Sequence, residues 1–252
     1  MFTGQWLMTS IVVYVSATLQ AITGFGFALI AVPLLLMILP PRVAVCTNMA
    51  VSLCSLLVLS WRTREHANRT ILKWLVVGSL AGIPAGTYII TRCDVAIIKT
   101  LASVTTLVIG CVFLARALPA RRNQVLSSRE PVPLGSRWYL LAGGISGLLT
   151  TSVSMPGPPV ILCLSHAGAP KQEFRATSSI YFAVVYTISI LVLALSGVMT
   201  VQVLAFAASL VPVAILGNIA GDRVFSRVSQ PVFEKVVPVV LVLTAVSNII
   251  RR

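Results

Sequence analysis

Long apolar runs separated by short basic loops set the pattern of this chain. The first run covers residues 6–39. As one helix it would be about 50 Å long, against a hydrocarbon core of about 30 Å. Thr23-Gly24-Phe25-Gly26 divides it and Pro40-Pro41-Arg42 closes it. Residues 43–61 form a clean span, and the loop 62–70 carries Arg62, Arg64 and Arg69. Residues 71–91 form a span with Gly78, Gly82 and Gly86, and residues 95–118 form the next, after a turn with Arg92 and Asp94. Residues 119–136 hold Arg121, Arg122, Arg129, prolines and serines, and read as a linker. The pattern then restarts. A broken apolar run reaches about residue 165, a loop begins at His166, and spans follow up to residue 195, over 201–221 and over 231–250.

The second break is the more pronounced. Residues 150–162 read TTSVSMPGPPVIL, with three prolines and a glycine after a cluster of hydroxyls. Proline removes a backbone donor and clashes with the preceding turn, so a continuous helix is not expected. In lipid an opened backbone is tolerated only where protein or a watery cavity satisfies it. Both breaks are therefore expected to be sites where a helix is interrupted at membrane depth and polar groups gather.

The halves match in order. Pro33-Leu34-Leu35 answers Pro159-Val160-Ile161, Thr47-Asn48 answers Thr177-Ser178, and Gly82/Gly86 answer Gly217/Gly221. Internal repeats with interrupted helices recur among transporters. Charge orients the repeats. If each broken segment crosses an even number of times, loops 62–73, 116–137, 171–175 and 223–235 share one side. Fourteen Lys/Arg then lie there, against five on the other side. Eight simple spans give eleven against eight. The positive-inside rule favours the first arrangement, with both termini outside. The expected fold is an all-α integral membrane protein of two inverted repeats. Each has a broken or re-entrant N-terminal segment followed by three spanning helices. Residues 1–118 form the first repeat, 119–136 a basic cytoplasmic linker, and 137–252 the second repeat.

Composition agrees with this class. The 252 residues are 57% hydrophobic and 10% charged, against about 25% charged in soluble domains. Mean hydropathy is +0.97. The start, MFTGQW, lacks the basic region of a cleavable signal peptide. A net charge of +13 raises the question of nucleic acid. Basic residues collect in cytoplasmic loops of membrane proteins, and no basic stretch here is interleaved with stacking aromatics. No nucleic-acid partner is expected. Cys46, Cys54, Cys93, Cys111 and Cys163 show neither metal-ligand nor disulfide spacing, so no metal or cofactor is expected. All six acidic residues and both histidines, His66 and His166, fall in loops or at span edges. A proton relay through a buried carboxylate is thus disfavoured. Anion efflux needs none: an inside-negative potential favours it by about 2.3 kcal/mol per charge per 100 mV.

The breaks carry the candidate chemistry. New half-helices are expected to start near Phe25 and Pro156. A helix N-terminus carries about half a positive charge and unpaired N–H groups, so two facing one cavity make an anion site without a lysine. The candidate substrate-binding residues are Gln20, Thr23, Gly24, Phe25, Gly26 and Asn48 from the first half. From the second half they are Thr151, Ser152, Ser154, Gly157, Pro158, Arg175, Thr177 and Ser178. Arg175 stands either as an anion attractor or as a snorkelling arginine at the membrane edge. The bland alternative for the breaks is that Gly and Pro permit kinks and tight packing. The glycine pairs read as close helix packing. No catalytic residues are assigned.

At these residues the chain resembles the sulfite exporter TauE/SafE family of membrane permeases. The likeness rests on Gln20-Ala21-Ile22-Thr23-Gly24-Phe25-Gly26 with Pro33-Leu34-Leu35, and on Gly157-Pro158-Pro159-Val160-Ile161-Leu162. It extends to Phe174-Arg175-Ala176-Thr177 and the pair Gly217/Gly221. The resemblance implies a multi-pass transporter of the cell (inner) membrane. It would export small sulfur-containing anions such as sulfite, thiosulfate, a sulfonate or sulfoacetate. The expected partners are that anion and the lipid bilayer. Family members have about eight helices. This chain departs from the pattern at Asn48, where a small hydroxyl residue is expected, and at Ser154-Met155-Pro156. Three other functions compete, one of them a non-transporting assembly factor, which would explain the hydrophobicity but not the paired polar breaks. A passive anion channel would share the same filter. An intramembrane serine protease is suggested by Gly144-Ile145-Ser146-Gly147, but a serine nucleophile needs a base within reach.

Overall fold

A computed structural model describes residues 2–23, 26–117 and 135–225. Among these residues it is helical throughout, without strands. Gly24, Phe25, most of the linker 119–136 and the span expected over 231–250 lie outside the described residues. The first half gives α1 (Phe2–Thr23), α2 (Phe27–Ile38), α3 (Pro41–Thr63), a 3-10 turn (Arg64–His66), α4 (Arg69–Arg92) and α5 (Val95–Ala117). The second half gives α6 (Ser136–Val153), α7 (Gly157–His166), α8 (Lys171–Leu195) and α9 (Val201–Phe225). Stretches within α3, α4, α8 and α9 are each long and apolar enough to cross a membrane.

Both expected breaks are present. α1 stops at Thr23 and α2 restarts at Phe27, after Gly26 at φ 107°. α6 stops at Val153 and α7 restarts at Gly157. The packing of the halves repeats. α6 lies along α4 in the same direction: Gly78 meets Leu140, Gly82 meets Gly144 and Gly86 meets Leu148. α1 lies along α9 in the same sense, with Gly217 against Tyr14 and Gly221 against Thr18. The glycines permit this approach, because a Cβ at Gly82 would overlap the Gly144 carbonyl. So the first helix of each half packs on the third full helix of the other. Gly144 and Leu148 hold the places of Tyr14 and Thr18. The proline match is looser than the sequence suggests. Pro33 sits inside α2, whereas Pro159 sits in the first turn of α7.

α3 packs on α8 at the centre, and α3 on α9 parallels α4 on α8. The C-terminal end of α3 meets the first turns of α8, where Thr63 and Ser179 hydroxyls are 3.3 Å apart. Asn68 locks this end. Its side chain caps α4 by accepting from Thr70 N and Ile71 N, each at 3.1 Å. It donates to Glu173 at 2.8 Å, while its backbone N–H donates to Thr177 Oγ1 at 3.0 Å. The loop 62–68 and the start of α8 thus lie side by side.

Candidate functional site

The second break is built as a helix stop followed by an enforced restart. Ser154 has φ 57°, the one non-glycine among the described residues in the left-handed region. Its N–H donates to Thr150 O at 2.8 Å, and Met155 N–H reaches back to Leu149 O at 3.1 Å. This is a Schellman-type closure, in which glycine usually takes the left-handed place. Two side chains hold the serine there. Asn48 of α3 donates to Ser154 Oγ at 2.7 Å and to its carbonyl at 3.3 Å. Tyr186 of α8 donates to the same carbonyl at 3.0 Å. Pro158 and Pro159 then fall in the first turn of α7, where a missing N–H costs little. Ser146 Oγ ties the connection by donating to Pro156 O at 2.6 Å.

The two breaks meet around one cavity of about 30 Å³, room for about two water molecules. Gln20 and residues 26–29 border it from the first break, and Met155, Pro156 and Gly157 from the second. Ser52 and Leu56 of α3, Ile161 of α7, and Phe182 and Tyr186 of α8 complete the wall. Ser52 is 1% exposed, and its hydroxyl makes no hydrogen bond. Asn48 is fully buried, and its Oδ1 likewise has no partner. Leu29 N–H donates to Gly26 O at 3.1 Å, which leaves Phe27 and Ala28 N–H as the donors at the start of α2 without an intrahelical acceptor.

Of the residues singled out by sequence, Gln20, Gly26 and Gly157 line this cavity, and Asn48 with Ser154 lies directly behind its wall. Thr23 ends α1, though its side chain is outside the described residues, as are Gly24 and Phe25. Pro158 is in the first turn of α7 and does not border the cavity. The other five lie elsewhere. Thr151 donates across the α4 seam to Ile83 O at 3.0 Å, and Ser152 donates to Leu148 O at 2.6 Å. Thr177 accepts from Asn68, and Ser178 donates to Phe174 O at 2.7 Å. Arg175 is exposed, seven residues or about 10 Å along α8 from Phe182. Ser52, Phe182 and Tyr186 border the cavity without having been expected there. A serine and a tyrosine inside otherwise apolar spans were the available signals. Ser146 is buried and donates to a carbonyl, while His66 and His166 are both exposed, so neither histidine is buried with the protease-like motif. Among the described residues no cluster of His, Cys, Asp or Glu could hold a metal.

The model of the family described as "Sulfite exporter TauE/SafE" matches residues 9–248. A curated protein of Cupriavidus necator, named "Probable sulfite/organosulfonate exporter TauE", is 23% identical over 210 residues. The match covers 81% of this chain and 78% of that protein. No solved structure matches.

Proposed function

The chain belongs to the sulfite exporter TauE/SafE family, and on that premise we propose that it carries small sulfur-containing anions out across the inner membrane. Sulfite, thiosulfate and organosulfonates are the candidate cargo. The cavity at the meeting of the two breaks carries the reading. It joins two interrupted helices, two helix starts and a buried, unpartnered serine inside an apolar molecule. Helix starts turned toward one cavity stabilise negative charge without a buried lysine. Gln20, Gly26, Ser52 and Gly157 are the residues we assign to the anion, with Asn48, Ser154 and Tyr186 as positioning residues. Thr23, Gly24 and Phe25 belong to the same break by their place in the chain. Arg175 we assign to the rim, where it concentrates anions rather than binding them in the cavity.

The inverted arrangement of the repeats is part of the same proposal. Two observations support it. The counterpart helices α3 and α8 run in opposite directions, with the end of α3 at the start of α8. The basic loop 62–70 is hydrogen-bonded through Asn68 to Glu173 and Thr177 in the first turns of α8, as an even number of crossings by each broken segment requires.

Uptake of labelled sulfite, thiosulfate and ethanesulfonate by proteoliposomes tests the function, with and without an imposed potential. Saturable, potential-dependent flux of at least one is expected. Ser52→Ala is expected to raise the half-saturating concentration more than Ser152→Ala, whose hydroxyl is bonded to its own helix. Absence of flux for all three anions in inserted protein overturns the reading.

A further inference from the structure

We propose that an anion leaves the cavity along a ladder of buried hydroxyls, Ser16 and Thr9 of α1 with Ser189 of α8, toward the face that carries the 196–200 turn. This rests on the transport reading above and adds the route by which the cargo departs.

The first observation is a missing bond. The hydroxyls of Thr9, Ser16 and Ser189 are fully buried and make no hydrogen bond. A helical serine or threonine has the carbonyl one turn back as a ready acceptor. Thr150, Ser152 and Ser178 take that option, and these three do not. An unbonded hydroxyl in an apolar interior costs stability, and water or a passing oxyanion supplies the partner that the protein lacks there.

The second observation is placement. At about 100° per residue, Thr9, Ser16 and Gln20 fall within about 40° of one another on α1, and Gln20 borders the cavity. Ser189 lies three residues beyond Tyr186, which borders it too. Both stripes lead the same way. α1 runs parallel to α9, with Trp6 bonded to Ser209 and Thr18 against Gly221, and α9 begins just after the turn that ends α8. The start of α1 and the end of α8 therefore share a face, opposite the joint of Asn68 with Glu173. Ser16 stands about 6 Å and Thr9 about 16 Å along α1 from Gln20, enough to reach from mid-membrane to the surface.

The third is a contrast between the two sides of the cavity. Toward the Asn68 joint, Thr177, Ser178 and Ser179 of α8 and Ser60 and Thr63 of α3 are all hydrogen-bonded. Among the described residues the other unbonded hydroxyls lie level with the cavity, at Ser52 and Tyr181, or beyond it with the ladder, at Ser10 and Thr47. α2 packs on both α1 and α3 and has no polar side chain to offer. α1 has no charged residue either. Neutral rungs let an anion go, where a fixed cation would hold it.

The test places single cysteines at Ser16 and Ser189, in the full chain with its five native cysteines replaced. A cysteine at exposed Thr200 marks the face, and one at Ser79, buried and bonded to Val76 O, is the control. The probe is 2-sulfonatoethyl methanethiosulfonate, a small impermeant anion that reacts with thiols. From the side on which it labels Thr200→Cys, it is expected to label Ser16→Cys and Ser189→Cys and to leave Ser79→Cys unlabelled. Labelling should cut uptake of radiolabelled ethanesulfonate several-fold in the two route variants, and excess ethanesulfonate should slow the labelling. Full labelling of Thr200→Cys with none at Ser16→Cys or Ser189→Cys, while wild-type protein carries anions, overturns the route and leaves the transport reading intact. Thr9→Val covers the case of cysteine variants that do not fold. The route requires several-fold slower flux at an unchanged half-saturating concentration, and flux equal to wild type overturns it. If wild-type protein moves no anion, the transport reading falls and the route with it.

Discussion

At the scale of single residues the second break turns on Ser154. A left-handed residue with a side chain costs about 1–2 kcal/mol, and hydrogen bonds from Asn48 and Tyr186 offset that cost. Asn48 and the Ser154-Met155-Pro156 stretch, singled out separately in the sequence, are therefore one contact. Tyr186→Phe is expected to destabilise the protein by about 1 kcal/mol, the usual worth of a hydrogen bond within a membrane bundle. Thermal unfolding in detergent reads this. Ser154→Gly removes the backbone cost together with the Asn48–Oγ bond, so it should change stability by less than about 1 kcal/mol. A large loss there would show that the serine side chain, rather than the turn, holds the break. The sequence exposes the break itself through its prolines and glycines, but not the direction of each hydroxyl. Ser152 and Ser178 bond the carbonyls of their own helices, which serine does readily in apolar surroundings. Thr177 serves a loop instead, because Asn68 folds over it.

Among the elements, the seam between α4 and α6 sets how close the halves come. Gly78 and Gly82 face backbone rather than flexible side chains, so an added side chain there has nothing to push aside, while Gly86 faces the Leu148 carbonyl and the Thr151 hydroxyl. Gly82→Leu is expected to cost more than about 2 kcal/mol and to lower the yield of folded protein in detergent. Glycines at a spacing of four reveal that a helix has a face for close packing, but not which helix fills it. The sequence pairs Gly82/Gly86 with Gly217/Gly221 as repeats, and packing shows that each pair receives the first helix of the opposite half. That exchange could not be read from the pattern, since both partners are apolar helices of similar length. Asn68 is a second element-level joint, where one side chain caps α4 and holds Glu173. Asn68→Ala should cost about 1–2 kcal/mol, the upper part of the range for a lost cap, because Glu173 also loses its donor. Chemical denaturation in detergent, compared with Glu173→Gln, separates the cap from the link to α8.

For the whole molecule, the number of crossings made by each broken segment decides which faces the loops occupy. Charge counts from the sequence lean toward an even number, and the family's usual helix count leans toward one crossing each. The packing adds a constraint that neither contains: the loop after α3 and the first turn of α8 are hydrogen-bonded neighbours. In the inverted-repeat reading those two segments share a side of the membrane, whereas eight simple spans would separate them by the full thickness. Single cysteines at Ala67 and Gln172, in a protein whose five native cysteines are replaced by serine or alanine, test this directly. A membrane-impermeant thiol reagent should label both in inverted vesicles and neither in right-side-out cells. Labelling of the two from opposite faces would defeat the inverted-repeat reading. It would also remove the reason for setting the two breaks at one depth. The same labelling orients the cavity. If both positions are cytoplasmic, the exposed Arg175 stands at the cytoplasmic rim of α8, one helix segment away from Phe182 and Tyr186. An anion leaving the cell would then meet the Arg175 charge first and the cavity second. In that order Arg175→Ala slows entry, most at low ionic strength, without altering the half-saturation set inside the cavity.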